Sequence, residues 1–250
     1  MERQFDARSI EWEQLLALQY RACLRQPRTV VDVGAYIGRH VDQLLQIGAR
    51  QVVAFEPVAQ LASDIRSRFG DADRLIVHEV ALAAEPGSSE FFIDRSQPGA
   101  SGMRVRGDAD RHVLYATQVA VDTLDHFGLS GVDYIKIDVE GAELLVLEGA
   151  HETLAASRPL VSVEFGRDAY QPYGLHRRSL LEWAEANDYA VCDLFGSPLS
   201  GATYDECVDR FYWDYLLAPA ENLRLRSSLQ LTGRTMLTSI ERFVAAASAL

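Results

Sequence analysis

A segment near the N-terminus limits the fold of this chain more than any other. Three valines and Asp32 fill positions 30–33, Gly34 follows, and an amphipathic stretch runs from Val41 to Ile47. This order predicts a β-strand, a tight turn and a helix. In an open α/β sheet such a turn lies beyond the carboxyl end of the strand, where ligands bind near the N–H groups of the helix. The segment therefore predicts an α/β fold with a cofactor site, and the alternative is a purely structural turn.

The spacing of the glycines indicates which cofactor to expect. A dinucleotide-binding turn has the pattern G-x-G-x-x-G, whereas this turn has only Gly34 and Gly38 and is preceded by Asp32. A carboxylate at that position would repel phosphate oxygens but would attract a ligand with a positively charged end. S-adenosylmethionine has both an ammonium and a sulfonium group. We therefore expect an S-adenosylmethionine site, and an NAD-dependent oxidoreductase is the alternative.

A second apolar strand, residues 51–55, ends at Glu56. This acid lies about 20 residues after the turn, where a carboxylate accepts hydrogen bonds from ribose hydroxyls. Because S-adenosylmethionine and NAD both have such hydroxyls, Glu56 predicts an adenosine ligand without separating the two. A third strand is expected over residues 75–82, with Glu79, Val80 and Ala81 beside the adenine.

Another block, residues 132–150, gathers acids at one turn. A strand that contains Lys136 ends at Asp138, Glu140 follows, and Gly141 permits a close turn before a helix. A further strand, residues 159–165, brings Glu164 to the same edge of the sheet. Carboxylates in such positions can remove a proton from an acceptor hydroxyl as a new bond forms.

The least regular part of the chain lies between residues 95 and 112. A long loop inside a compact domain is usually an active-site lid or a binding loop. Arginines in this loop would suit an acceptor with phosphate, carboxylate or many hydroxyl groups, or they only balance neighbouring aspartates on a solvated loop. These arginines are Arg95, Arg104, Arg106 and Arg111.

Length and charge exclude several classes of protein. With 250 residues, of which 48% are hydrophobic, the chain can form one sizeable core. Its net charge of -12 would repel nucleic acid and anionic membranes. The N-terminus lacks the apolar segment of a secretion signal, and no apolar run reaches membrane-spanning length. We therefore expect a soluble, cytoplasmic protein that does not bind nucleic acid.

The chain is expected to have three segments. Residues 1–27 form an N-terminal covering helix, residues 28–220 the central domain, and residues 221–250 a helical tail that could form a homodimer contact, pack over the core or have no role. Two late strands, residues 189–195 and 210–217, have no helix pattern between them. They predict an antiparallel hairpin at the edge of an otherwise parallel sheet.

Taken together, these motifs resemble the FkbM family of S-adenosylmethionine-dependent methyltransferases. The similarity extends from Thr29 to Phe165, and its most specific part is the block K-I-D-V-E-G-A-E that begins at Lys136. The resemblance implies a class I, Rossmann-like methyltransferase fold, with a seven-stranded, mostly parallel sheet, an antiparallel edge strand and three αβα layers. It also implies methyl transfer, usually to a hydroxyl oxygen of a small natural product, a sugar or a glycan.

The resemblance further implies which residues contact S-adenosylmethionine. Asp32, Gly34 and Tyr36 would hold its methionine end, and Glu56 would hold its ribose. The complete set of expected cofactor residues is Asp32, Gly34, Ala35, Tyr36, Gly38, Glu56, Pro57, Glu79, Val80, Ala81 and Asp138.

Methyl transfer from a sulfonium is an in-line displacement that requires alignment and the exclusion of water. We expect Asp138 or Glu140 to act as the general base, with Glu164 and Lys136 orienting the acceptor or the acids. In an alternative, the three acids bind Mg²⁺, which would acidify a diol acceptor.

Two further alternatives remain open. His112 or His176 could be the base, because histidine titrates near neutral pH. At the level of function, the chain could be a non-catalytic partner that only binds S-adenosylmethionine.

Overall fold

The computed structural model of the chain describes residues 12–70, 73–106, 114–210 and 213–247. Helices and strands alternate along most of this length, as the sequence predicts. The helices are α1 (Trp12–Cys23), α2 (Arg39–Gln46), α3 (Ala59–Phe69), α4 (Glu143–Glu148), α5 (His151–Ser157), α6 (Ser179–Ala186), α7 (Gly201–Cys207) and α8 (Leu223–Ala247). The strands are β1 (Thr29–Val33), β2 (Gln51–Phe55), β3 (Leu75–His78), β4 (Ala81–Leu82), β5 (Gly87–Asp94), β6 (Leu114–Asp122), β7 (Val132–Ile137), β8 (Leu160–Glu164), β9 (Tyr189–Cys192) and β10 (Asp214–Pro219).

Seven of the strands form the central sheet, in the order β3-β2-β1-β7-β8-β10-β9. The pairs from β3 to β8 are parallel, whereas β10 is antiparallel to both of its neighbours. The chain leaves β1 toward β2 and β3 on one side and returns to β7 on the other side. The predicted α/β class, with a seven-stranded and mostly parallel sheet, is confirmed.

The two late strands pair antiparallel at one edge of the sheet, as the sequence predicts. β9 occupies the edge, and β10 inserts between β8 and β9. The helix α7 also lies between the two late strands, capped by reciprocal hydrogen bonds between Ser200 and Thr203. The predicted antiparallel pairing of the two late strands is therefore confirmed, whereas the helix between them was not predicted.

Apolar side chains from the two faces of the sheet pack into two separate cores. Alternate residues of a strand point to opposite faces, so Val31 and Val33 join one core while Val30 joins the other. Helices α4, α5 and α6 cover the first core, whereas α1, α2 and α8 cover the second. The result is the three-layer αβα arrangement that the sequence predicts.

A smaller sheet, in the order β4-β6-β5, lies beside the main one. The sequence analysis assigned residues 75–82 to one strand, but the structure divides them. β3 pairs with β2 as far as His78, and β4 pairs with β6 in the smaller sheet. Glu79 and Val80 connect the two sheets, because the chain must leave the first ladder to enter the second.

The helices at the two ends of the described chain contact each other. The amide of Gln19 in α1 donates hydrogen bonds to the carbonyl oxygens of Leu194, at 2.8 Å, and of Leu229 in α8, at 3.3 Å. Among the described residues, no helix combines the length and apolar character required to cross a membrane.

Candidate active site

A cavity of about 840 Å³ opens where the strands β1, β2, β7 and β8 end. It lies where the sheet order reverses, at the place where ligands bind in open α/β sheets. Its volume is within the usual range for small-molecule sites. Residues from the ends of these strands line it, including Val33, Phe55, Asp138 and Glu164.

The turn after β1 forms one side of the cavity. Gly34 has a φ of +80°, and a Cβ atom there would lie 1.9 Å from the carbonyl oxygen of Asp138. Glycine is thus required both by the backbone conformation and by the close approach of the turn after β7. Gly34, Ala35 and Tyr36 line the cavity. Gly38 does not line it but is the N-cap of α2, with a φ of +76°.

Glu56 lines the same side of the cavity and is almost completely buried. One of its carboxylate oxygens accepts a hydrogen bond from the N–H of Tyr36, and the other accepts one from the N–H of Val58, both at 2.8 Å. Burial raises the pKa of Glu56 to about 7. Each oxygen retains a lone pair, so the fixed carboxylate can accept further hydrogen bonds from ligand hydroxyls. Pro57 lines the cavity beside it.

Of the residues predicted to lie beside the adenine, Val80 and Ala81 line the cavity and Glu79 does not. Val80, Ala81 and Leu82 contribute an apolar wall. The side chain of Glu79 is about half exposed, with its carboxylate 3.8 Å from the guanidinium of Arg66, and it is not among the lining residues. The position of Glu79 between the two sheets turns it away, so its expected contact with adenine is not supported.

Asp32 is also absent from the cavity wall. Its side chain is fully buried, and its Oδ1 lies 3.9 Å from the ammonium of Lys136. The two residues are partners in the register of β1 and β7, on the sheet face that packs against α1 and α2. Burial raises the pKa of Asp32 to about 6, and the Lys136 ammonium opposes this shift. Asp32 therefore does not line the cavity, and its expected direct contact with the methionine end of the cofactor is not supported.

Lys136 connects this buried acid to the cavity. Its ammonium donates a hydrogen bond of 3.0 Å to Asp138, whose side chain is 32% exposed. Both Lys136 and Asp138 line the cavity. Burial disfavours the ammonium, but the carboxylates of Asp138 and Asp32 outweigh this effect and raise the pKa of Lys136. Lys136 therefore remains positively charged and fixes the position of Asp138.

Glu140 projects into the cavity from a strained turn. It has a φ of +56°, and its carboxylate forms an ion pair of 3.1 Å with Arg106, with both side chains largely buried. Burial and the nearby Asp138 raise the pKa of Glu140 to about 7, although Arg106 opposes the shift. Glu143 stabilises the turn, because its carboxylate accepts hydrogen bonds from the N–H groups of Val139, at 3.2 Å, and Gly141, at 2.9 Å.

Glu164 lines the far side of the cavity, in register with Asp214 of β10. The neighbouring carboxylate of Asp138, burial and Asp214 raise the pKa of Glu164 well above its usual range. Asp214, Trp213 and Arg167 also line the cavity and were not among the predicted site residues. Trp213 had a signal, as an aromatic residue at the start of a late strand, but its place depends on the antiparallel course of β10.

The long loop lines the cavity with small and apolar residues and not with the arginines that the structure describes. Pro98, Gly99, Ser101 and Met103 line the cavity, which supports a binding loop. The arginines behave differently: Arg106 pairs with Glu140, and the Arg95 guanidinium lies 5.8 Å from the centre of the Tyr115 ring. Neither they nor Arg104 are lining residues, and Arg111 lies outside the described residues.

The alternative bases and the metal site receive little support. His112 lies outside the described residues, and His176 is an exposed residue 3.5 Å from Glu182, away from the cavity. Within the described ranges, no group of three or more His, Cys, Asp or Glu side chains is arranged to hold a metal ion. Two of the acids proposed as metal ligands already have cationic partners, because Asp138 pairs with Lys136 and Glu140 pairs with Arg106.

The sheet order, the turn after β1 and the cavity at the strand ends define a Rossmann-like α/β protein of the methyltransferase class. Residues 32–191 match the family model described as "Methyltransferase FkbM domain". Because this match covers more than half of the chain, the chain belongs to the FkbM methyltransferase family, as its motifs predict. Family membership supports methyltransferase activity and the use of S-adenosylmethionine.

Individual relatives are more distant. The chain is 26% identical over 170 residues to the 2-O-methyltransferase NoeI of Sinorhizobium fredii (strain NBRC 101917 / NGR234), covering 61% of this chain and 70% of that protein. It is 18% identical to the FkbM methyltransferase structure from Methylobacillus flagellatus KT, with a TM-score of 0.49. That match covers 77% of this chain and 44% of the other, so this chain spans less than half of that protein. The structure of an O-methyltransferase from Bacillus cereus in complex with SAH is 16% identical, with a TM-score of 0.46, and the match covers 85% of this chain and 82% of the other.

Proposed function

We propose that the protein is an S-adenosylmethionine-dependent O-methyltransferase that acts on a hydroxyl group of a small molecule, sugar or glycan. The observation on which this depends is that Glu56 and the acids Asp138, Glu140 and Glu164 line the same cavity. The similarity to a 2-O-methyltransferase, NoeI, favours oxygen as the methyl acceptor.

The residues that line the cavity support S-adenosylmethionine as its ligand. Glu56 offers lone pairs for the ribose hydroxyls, and Val80, Ala81 and Leu82 offer an apolar surface for adenine. The acids that line the cavity outnumber its lysine and arginine residues, which favours a cationic ligand over a pyrophosphate. These acids are Glu56, Asp138, Glu140, Glu164 and Asp214, and the cations are Arg39, Lys136 and Arg167. This balance disfavours the NAD-dependent alternative.

S-adenosylmethionine, when bound, supplies a methyl group on a positively charged sulfur. The chain must align the acceptor oxygen with this methyl group and remove the hydroxyl proton. Asp138 and Glu140 are the proposed bases: Asp138 is held by Lys136, and Glu140 has a pKa of about 7, which is close to the optimum for a base at neutral pH. Glu164 and Lys136 would orient the acceptor and the acids.

Two measurements test this function. Calorimetric titration with S-adenosylmethionine, S-adenosylhomocysteine and NADH should show binding of the first two only. Methyl transfer from S-adenosylmethionine should then be measured with a panel of alcohols and glycosides as acceptors. Asp138→Asn should abolish turnover while it leaves S-adenosylhomocysteine affinity nearly unchanged. Full activity of this variant would exclude Asp138 as the base, and tight binding of NADH would contradict the assignment as a methyltransferase.

The remaining expectations stay proposals. A homodimer contact through the tail is proposed from the sequence, and so is a cytoplasmic location. Sedimentation of the purified chain would test the first, because a dimer has twice the mass of the 27.8 kDa chain.

A further inference from the structure

The antiparallel course of β10 brings two extra residues to the cavity. Because β10 runs opposite to β8, its first residues lie at the edge where β8 ends. Asp214 is in register with Glu164, and the carbonyl oxygen of Trp213 accepts a hydrogen bond of 2.7 Å from the N–H of Phe165. Trp213 therefore lines the cavity immediately beside the acidic residues.

The indole ring of Trp213 is held in place by its neighbours. The guanidinium carbon of Arg167 lies 3.7 Å from the ring centroid, a close cation–π contact. A Cβ atom on Gly166 would lie 2.2 Å from Cδ1 of the indole, so only glycine permits this packing. Trp213 is half-buried, and Arg167 also lines the cavity. The two stacked side chains, with the guanidinium over one face of the indole, form the part of the cavity lining that we call the Trp213–Arg167 wall.

The charges around this wall indicate what kind of acceptor it can take. The Arg167 guanidinium stacks on Trp213 and lowers the pKa values of Glu140 and Glu164, so its charge is already opposed by carboxylates. An anionic acceptor would meet these carboxylates. A neutral polyhydroxylated ring would instead place its C–H groups on the face of the indole that Arg167 does not cover, and its hydroxyls would donate hydrogen bonds to the carboxylates.

From this juxtaposition we infer that the Trp213–Arg167 wall is the acceptor-binding surface and that it selects an uncharged, polyhydroxylated ring such as a neutral glycoside. This inference rests on the proposed methyltransferase function, because it assigns the acceptor side of the same cavity. Trp213 is a specificity-determining residue in this arrangement, and Arg167 positions its ring.

The test uses the full chain loaded with S-adenosylhomocysteine. Binding of methyl glycosides of glucose, galactose, fucose and rhamnose is measured by ligand-observed NMR titration, with glucuronic acid as the anionic comparison. The variants are Trp213→Ala, the conservative Trp213→Phe, and Arg167→Lys, which retains the charge but loses the planar guanidinium. Trp183→Phe is the matched control, because Trp183 packs against Tyr189 and is not a lining residue.

We expect at least one neutral glycoside to bind, and glucuronic acid to bind more weakly. Trp213→Ala should weaken glycoside binding about tenfold, which is the effect of losing one aromatic stacking contact. Trp213→Phe should restore part of the affinity, and the control should match the wild type. S-adenosylhomocysteine affinity should be the same in every variant.

Three results would overturn the inference: no binding of any neutral glycoside, preferred binding of glucuronic acid, or unchanged glycoside affinity in Trp213→Ala. Trp213→Phe and Arg167→Lys keep the test decisive if the alanine variant does not fold. Failure of the wild-type protein to bind S-adenosylhomocysteine is a different outcome, since it would refute the proposed function itself and this inference with it.

Discussion

Replacement of Lys136 by methionine should destabilise the protein because it leaves the buried carboxylate of Asp32 without its counter-charge. The Lys136 ammonium lies 3.9 Å from Asp32 and 3.0 Å from Asp138. Asp138 is partly solvated and can tolerate the loss, but Asp32 is fully buried. At 3.9 Å and an effective dielectric constant of about 20, the Lys136–Asp32 attraction amounts to roughly 4 kcal/mol. Removing one partner of a buried ion pair typically costs about 3–5 kcal/mol, so we expect a loss of about 3 kcal/mol in the free energy of unfolding.

The destabilisation should depend on pH in a defined direction. The pKa of Asp32 is already raised to about 6, and it rises further without the ammonium. The unfolded chain ionises this group near pH 4, so between that value and the folded pKa the folded variant binds more protons. Its stability therefore falls as pH rises through this window. The deficit of Lys136→Met should be larger at pH 8 than at pH 5.

Urea denaturation followed by circular dichroism at both pH values measures these free energies. The double variant Asp32→Asn/Lys136→Met is the control, because it removes the buried charge together with its partner. It should recover at least about 1 kcal/mol relative to the sum of the two single variants. Additive losses, or a Lys136→Met deficit below about 1 kcal/mol at pH 8, would refute the buried ion pair.

Three other predictions follow from the same geometry. Gly34→Ala should lower the free energy of unfolding by more than about 2 kcal/mol and abolish S-adenosylhomocysteine binding, because the new Cβ would clash with the carbonyl oxygen of Asp138. The control is Gly48→Ala, where φ is +81° and nothing lies within 4 Å, and it should lower the free energy of unfolding by about 1 kcal/mol in the same denaturation assay. Burial raises the pKa of Glu143 to about 8, so the folded state binds more protons than the unfolded state and wild-type stability should fall from pH 5 to pH 8. Glu143→Gln retains the acceptor oxygen and should make this fall smaller. Parallel stability curves for the two proteins would contradict the raised pKa. Arg106→Gln should raise the pKa of Glu140 and shift the acid limb of the pH–rate profile to higher pH if Glu140 is the base; an unmoved limb would favour Asp138.

Much of the fold could be predicted from local patterns. The apolar strands, the glycine turn after β1 and the acids at the strand ends each have a short-range signal. The number of strands in the sheet was implied by the family resemblance, and the structure confirms the mostly parallel seven-stranded sheet. The order of β9 and β10 has no such signal. A strand pattern identifies the strand but not its neighbours, so the insertion of β10 beside β8 and its contribution of Trp213 required the structure.

Asp32 shows a different kind of error, one that the sequence could have prevented. Val31 and Val33 alternate with Asp32, so an acid between them must point to the opposite face from the neighbouring valines. Lys136 interrupts another buried strand in the same way. Two opposite charges that each interrupt an apolar strand of one sheet are natural partners, since a buried charge requires a counter-charge. The alternation of the strand therefore predicts the buried pair of Asp32 and Lys136 that the structure contains.

The acids of the cavity do not act independently, because their cations are shared. Lys136 lies within 4 Å of both Asp32 and Asp138, while Arg167 acts on both Glu140 and Glu164. Asp138 in turn raises the pKa values of Glu140 and Glu164. Removal of any one charge therefore changes the ionisation of the others, and single substitutions report the response of the whole group. Residues as far apart in sequence as Asp32 and Glu164 thus form one electrostatic unit, and paired substitutions separate the effect on one acid from the response of its neighbours.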